Sequence, residues 1–243
     1  MLLAIDIGNS KIKGAVFKHN TMTDLFVLEY PDWQKKLEKI IDSYPDLTHL
    51  IVASVGKLSE NDFLWIDKKI KIAFVSSKMK FPYTNHYKTP HTLGIDRMVL
   101  ASGAVLKFPE TNRLVIDAGT AITYDFIDRD NNYLGGAISP GIGLRYKALN
   151  DHTAKLPLLE KSETDFFIGQ TTAESIHSGV VNGVIHEIEG FVARHKAGCE
   201  NFIIILTGGD TDFLAKRLKS TIFANQNFLL ESLNDLHQFQ NND

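Results

Sequence analysis

Two stretches of this sequence carry an aspartate into a glycine turn: Asp6-Ile7-Gly8-Asn9-Ser10 and Asp117-Ala118-Gly119-Thr120. Each follows an apolar run (2–5, 114–116) and precedes an alternating one (11–17, 121–127). A strand feeding such a turn leaves the carboxylate at its end and turns backbone N–H groups outward. Glycine, with no Cβ, lets a polyanion come close to that backbone. The hydroxyl or amide groups of Asn9, Ser10 and Thr120 can donate to phosphate oxygens. A carboxylate repels phosphate, so Asp6 and Asp117 imply intervening cations: Mg²⁺ through its waters, or a monovalent ion. One Asp-x-Gly is also an ordinary hairpin turn. Two copies in the same setting favour two facing hairpins that grip one nucleotide between two halves.

Two more motifs have chemistry within reach. In Gly94-Ile95-Asp96-Arg97, Asp96 is a base for an attacking hydroxyl and Arg97 a holder of a substrate anion. The plainer alternative is an N-cap Asp beside a solvated Arg. Phosphoryl transfer asks the protein mainly to position groups and neutralise charge, so one aligned carboxylate suffices as base. Thr207-Gly208-Gly209 lies between an apolar strand and a helix. Its glycines let a flat ring such as adenine lie on the backbone, while the plainer alternative is a β–α turn capped by Asp210. Gly135-Gly136 and Pro140-Gly141 share that ambiguity.

The elements that must position these motifs follow from periodicity. Strands are expected at 2–5, 11–17, 23–30, 49–55, 70–76, 114–117, 121–127, 133–139 and 201–206, and helices at 31–44, 60–69, 96–108, 142–149, 172–195 and 210–218. Residues 78–95, with Pro82, Pro90 and Gly94, read as a loop. Strands alternating with helices predict an α/β fold with a largely parallel sheet. The return of the opening pattern at residue 114 predicts a duplicated domain, with halves 1–92 and 93–243.

Composition narrows the function classes. At ~150 residues per domain, 243 residues make one large domain or two modest ones. Apolar residues at 44% and charged ones at 23% are ordinary globular usage. A formal net charge of −3 supplies no basic field for nucleic acid. The single cysteine, Cys199, excludes a disulfide framework and a cysteine zinc cluster. Apolar runs such as 202–206 stop far short of the ~20 residues that span a bilayer, and Asp6 interrupts the apolar start before it resembles a signal segment. The expectation is a soluble protein of a reducing cytosol, bound neither to membrane nor to nucleic acid. His177 and His186 show no ligand spacing, and Lys35, Lys36 and Lys39, like Lys68, Lys69 and Lys71, read as solvated faces.

Taken in order, the motifs resemble those of type III pantothenate kinases, within the acetate kinase/sugar kinase/Hsp70/actin superfamily. The resemblance runs nearly end to end. Besides the stretches above it uses Gly135-Gly136-Ala137-Ile138-Ser139-Pro140-Gly141, Thr153-Ala154-Lys155-Leu156-Pro157, Gly169-Gln170-Thr171-Thr172, Ser178-Gly179 and Thr207-Gly208-Gly209. It implies duplicated ribonuclease H-like (actin-like ATPase) domains with a nucleotide cleft between them. It further implies ATP-dependent phosphorylation of pantothenate to 4′-phosphopantothenate, the first step towards coenzyme A.

By the same resemblance, Asp6, Ile7, Gly8, Asn9, Ser10, Lys11, Ile12 and Lys13 form an ATP-binding hairpin that Thr120 assists. Asp117 binds a monovalent cation (K⁺ or NH₄⁺), and Mg²⁺ accompanies ATP, reached from Asp6 through water. Asp96 takes the proton of the pantothenate hydroxyl, with substrate contacts from Tyr87, Gly94, Ile95, Arg97 and Thr172. Thr172 is expected to line the partner subunit's pocket in a homodimer. Thr171 stands where the family usually has Asn, and Ser10 where Thr is common. Two alternatives remain at this stage. One is a kinase of the superfamily acting on another small hydroxyl compound; the other is a non-catalytic accessory transcription regulator.

Overall fold

A strand buried on both faces shows neither face as polar, and the opening apolar run behaves this way. In the computed structural model, which describes every residue except Ser10, Lys57, Asp67, Glu200, Asn242 and Asp243, β1 (Leu2–Ile7) is the middle strand of a five-stranded sheet. It pairs antiparallel with β2 (Ile12–Lys18), which pairs with β3 (Thr21–Leu28). On its other side it runs parallel to β4 (His49–Ser54), which is followed by β5 (Lys71–Phe74). Leu3, Ile5 and Ile7 pack with Leu37 of α1 (Trp33–Asp42) and with Phe63. Leu2 and Ala4 pack on the opposite face with Val99, Leu230, Leu233 and Leu236. Each such aliphatic side chain contributes ~1.5–3 kcal/mol on full burial.

Val99 lies on α2 (Ile95–Lys107), and the three leucines on the last helix of the chain. The short strand β6 (Thr84–Asn85) precedes α2 and pairs with residues 132–133. Packing divides the chain into two units. Unit 1 comprises Met1–Pro109, Asn131–Tyr133 and Asn227–Asp243, and unit 2 comprises Glu110–Asp130 and Leu134–Gln226. The expected division at residue 92 therefore differs from the packing: α2 belongs to unit 1 because it packs on the last helix.

Unit 2 repeats the plan. β7 (Asn112–Ala118) pairs antiparallel with β8 (Ala121–Ile127), which is followed by β9 (Asn132–Pro140). β7 also runs parallel to β10 (Phe202–Thr207), and β10 to β11 (Phe223–Ala224). The strand order β9-β8-β7-β10-β11 matches β3-β2-β1-β4-β5 of unit 1 strand for strand. Leu114, Ile116 and Ala118 pack against α3 (Ile142–Asp151) and against a long helical stretch. That stretch runs through α4 (Thr172–His177), a π-turn (Ser178–Asn182) and α5 (Gly183–Lys196). α6 (Thr211–Ala215) follows β10, and α7 (Phe228–Asn241) closes the chain.

Local departures from the expected elements have physical causes. The helix expected over 60–69 is only a 3₁₀ turn, Glu60–Phe63. Phe63, Ile66 and Ile70 bury in the unit 1 core, and this apolar spacing is what suggests a helix in the sequence. β11 and α7 were not anticipated. No helix of the described residues is long and apolar enough to cross a membrane.

Candidate active site

In unit 1, Asp6 sits one residue from the end of β1, opposite Lys13 on β2. The Gly8 N–H donates to Lys11 O at 3.1 Å and closes the turn, and the Tyr30 hydroxyl donates to Gly8 O at 2.5 Å. Gly56 must be glycine there, since a Cβ would lie 2.7 Å from both Gly8 O and the Tyr30 hydroxyl. Ile7 and Ile12 are core residues, so only their backbone is available to a phosphate. Asn9 and Lys11 are exposed, and Lys13 is half-buried. Ser10, also expected here, lies outside the described residues.

Asp96 is in the first turn of α2 and does not cap it: the N-cap is Gly94. The Arg97 N–H donates to Asp96 Oδ1 at 2.8 Å. The carboxylate folds so tightly over Gly94 that a Cβ there would lie 2.4 Å from Oδ1. The plainer reading of Asp96 as a cap thus gives way to a carboxylate held by its own turn, near the positive end of the helix dipole. Asp96 and Asp6 feel each other. Burial first, and then the Asp96 charge, pushes the Asp6 carboxyl up to about 7, against the pull of Lys13.

Tyr87 and Arg97 are also brought together. The guanidinium carbon lies 5.6 Å from the Tyr87 ring centroid, and Arg97 is 5% exposed. Tyr87 continues a row of rings through Tyr133 and Tyr83, whose hydroxyl donates to Met98 O on α2. Ile95, between Gly94 and Asp96, is half-buried against the core that holds Val99.

In unit 2 the second Asp-x-Gly turn is enclosed by motifs distant in sequence. Gly119 N–H donates to Ala121 O at 3.0 Å, and Gly141 N–H to Thr120 O at 3.0 Å. A Cβ on Gly141 would lie 2.2 Å from Gly119 O. Gly208, at φ 96°, allows the β10–α6 turn to reach Asp117: its Cβ would lie 2.4 Å from Asp117 Oδ1. Asp210 N–H donates to Ala118 O at 3.0 Å. The Asp210 carboxylate does not cap α6; it pairs with Lys161. Gly136 has a different cause, for a Cβ there would strike the Tyr124 carbonyl of β8. Thr120 is exposed beside Asp117.

The residues suit a cation. Thr123, directly across the strand pair from Asp117, has a buried hydroxyl without a partner. Among the described residues no three His, Cys, Asp or Glu side chains group to hold a metal by themselves. A cation here would therefore complete its shell with phosphate oxygens and water.

Sequence reasoning missed a polar cluster behind this turn. Glu187 of α5 accepts from Tyr124 at 2.8 Å and from the Ser139 hydroxyl, and pairs with Arg145 at 2.5 Å. Arg145 also donates to Pro140 O at 2.8 Å, bracing the loop that carries Gly141. Burial opposes ionisation of Glu187, but these donors, led by Arg145, win and hold its carboxyl below its usual range. Thr171 N-caps α4 in a reciprocal box with Glu174, which accounts for a hydroxyl at that position. Thr172 is exposed, on a groove of ≈ 1020 Å³ whose wall is mostly apolar, with Leu144, Leu149, Leu156 and Val180.

Solved structures show the same fold. A Campylobacter jejuni protein assigned to the Baf family of transcriptional activators superposes with a TM-score of 0.62 at 22% identity, covering 99% of this chain and 100% of that one. A candidate 2-dehydro-3-deoxygalactonokinase of Sinorhizobium meliloti gives 0.63 at 12% identity, covering 98% and 99%. The fold is thus that of the actin-like sugar kinases, with two ribonuclease H-like units. The type III pantothenate kinase of Flavobacterium johnsoniae is 54% identical over 99% of this chain and 98% of its own, and that of Bacteroides fragilis 38% identical over 99% of each. Residues 2–194 match the sequence profile of the type III pantothenate kinases, and the chain belongs to that family.

Proposed function

We propose that this protein transfers the γ-phosphoryl group of ATP to the primary hydroxyl of pantothenate, giving ADP and 4′-phosphopantothenate. The observation that carries this reading is the grouping of Asp96 with Asp6, Arg97 and Tyr87 inside one unit. Asp96 accepts the hydroxyl proton as the new O–P bond forms and the bond to the β-phosphate oxygen breaks. Its backbone clamp leaves the second carboxylate oxygen for the substrate. Arg97, stacked under Tyr87, holds the anionic part of pantothenate, and Gly94 and Ile95 supply the adjoining backbone.

The hairpin from Asp6 to Lys13 presents N–H groups and the lysine charges to phosphate, and Thr120 donates its hydroxyl. Mg²⁺, when bound, neutralises charge on the transferring phosphate; Asp6 orients it through water. Asp117 holds the monovalent cation, K⁺ or NH₄⁺, with the unpartnered Thr123 hydroxyl opposite it. We further propose a homodimer in which Thr172 completes the partner's pantothenate pocket. The groove beside Thr172, together with Leu144 at 43%, Phe167 at 70% and Ile168 at 81% exposure, supports an apolar contact between copies. The family's biosynthetic role agrees with a cytoplasmic location.

The test is turnover with ATP, Mg²⁺ and pantothenate, with and without K⁺. Asp96→Asn is expected to lower kcat by about 10²–10⁴-fold with an unchanged unfolding profile. Wild-type turnover in that variant removes Asp96 from the mechanism, and turnover on sugars but not pantothenate removes the substrate assignment.

A further inference from the structure

Unit 1 contains a cavity of ≈ 540 Å³ between the β2–β3 hairpin, the C-terminal end of α2 and α7. Phe17, Met22, Leu106 and Phe239 form its apolar walls, and Asn234 and Asp235 lie on its polar side. None of these residues belongs to the phosphate-binding hairpins or to the Asp96 cluster.

The polar side is incomplete. Asn234 is 1% exposed. Its Oδ1 atom is buried with no partner, and a buried acceptor of this kind calls for a donor. Charge points the same way. Lys107 is committed to Glu231 at 2.7 Å, so the lining carries two carboxylates and one ammonium, a net negative charge. Burial raises the Asp235 carboxyl above its usual range, with Lys107 pulling against it and the Glu231 charge adding to it. Water could serve the acceptor but would leave the four apolar side chains wet. An anion would face like charge, and a neutral alcohol would leave the net charge in place.

We propose that this cavity binds a small primary ammonium compound with an apolar body, its N–H groups donating to Asn234 Oδ1 and Asp235 and its body lying against Phe17, Met22 and Phe239. The size suits such a ligand, since small-molecule pockets run from ~300 to ~1,000 Å³. The site is independent of the phosphoryl-transfer reading.

Benzylamine is the probe, with benzyl alcohol and benzoate as near-isosteric neutral and anionic controls, each titrated into the full chain by calorimetry and followed by thermal unfolding. Benzylamine is expected to bind saturably at one site per chain and to raise Tm. It should bind at least tenfold more tightly than benzyl alcohol, with no response to benzoate. Asp235→Asn and Phe239→Ala should each weaken benzylamine at least tenfold while circular dichroism stays that of the wild type. Absence of benzylamine binding, equal binding of the alcohol, or undiminished binding to Asp235→Asn overturns the proposal. Should a variant fail to fold, the comparison of the three probes on the wild type still decides.

Discussion

Asp6 shows what a charged residue costs a fold that uses it. Its carboxyl is raised from 3.8 to about 7 by burial and by the Asp96 charge. A folded-state value above the unfolded one means that this group's contribution to stability is full below about pH 4 and is lost as pH rises through about 7. In protein free of nucleotide and metal, Asp6→Asn is therefore expected to raise stability at pH 8 by on the order of 1–2 kcal/mol, or roughly 2–8 °C in Tm. The gain should fade towards pH 4, and turnover should be lost. Calorimetry across that range checks it, and an unchanged or lower Tm at pH 8 contradicts it. The type of residue and its place after an apolar run were legible in the sequence. Its partnership with Asp96, ninety positions on, was not, because only packing of α2 beside β1 brings the two charges within range.

At the scale of the element, α2 is set by its first turn. Gly94 is glycine because the Asp96 carboxylate occupies the space of its Cβ, 2.4 Å away. Gly94→Ala is expected to displace that carboxylate and lower kcat by about 10–10³-fold, with KM for ATP and Tm nearly unchanged, since the cost falls on the position of one half-buried side chain at the start of the helix. A steady-state comparison and a melting curve test this; a drop confined to KM would assign Gly94 a binding role instead. The glycines at 94, 141 and 208 could be singled out from the sequence, whereas the atoms each accommodates came from elsewhere in the chain. Gly136 illustrates the limit. Its motif is as suggestive as the others, yet its reason is the nearby Tyr124 carbonyl. The Arg145–Glu187 pair was invisible because residues 42 positions apart in the chain carry no shared periodic signal.

At the scale of the whole molecule, two expectations follow from surfaces and from titration. If copies meet at the groove beside Thr172, Leu144→Glu should convert a dimer to a monomer in sedimentation and suppress turnover at the same time. A monomeric wild type with full turnover would end the dimer proposal. Acid stability is governed in part by His49 and His237, whose rings lie 4.9 Å apart. Burial lowers both, helped by Lys71 at His49 and by His49 at His237. Folded histidines that resist protonation give stability present above pH ~6.5 and lost as pH falls below it. Urea midpoints should accordingly drop between pH 7.5 and 5.5, and drop less in His237→Gln; identical slopes in the two proteins would remove the histidine pair as the cause.

The amino-acid sequence alone determined the duplicated strand–turn–strand plan, the two Asp-x-Gly turns and the loop-to-helix junction at Asp96. These features depend on side-chain alternation, on glycine's missing Cβ and on turn residues, all of them interactions over a few positions. Tertiary structure alone decided that Tyr87 stacks on Arg97, that Gly208 seats beside Asp117, that α2 belongs with the first unit and that Asn234 keeps an unanswered carbonyl. Each of these joins atoms from separate stretches of chain, and burial of apolar faces, which is strong but indifferent to sequence separation, is what brings them together.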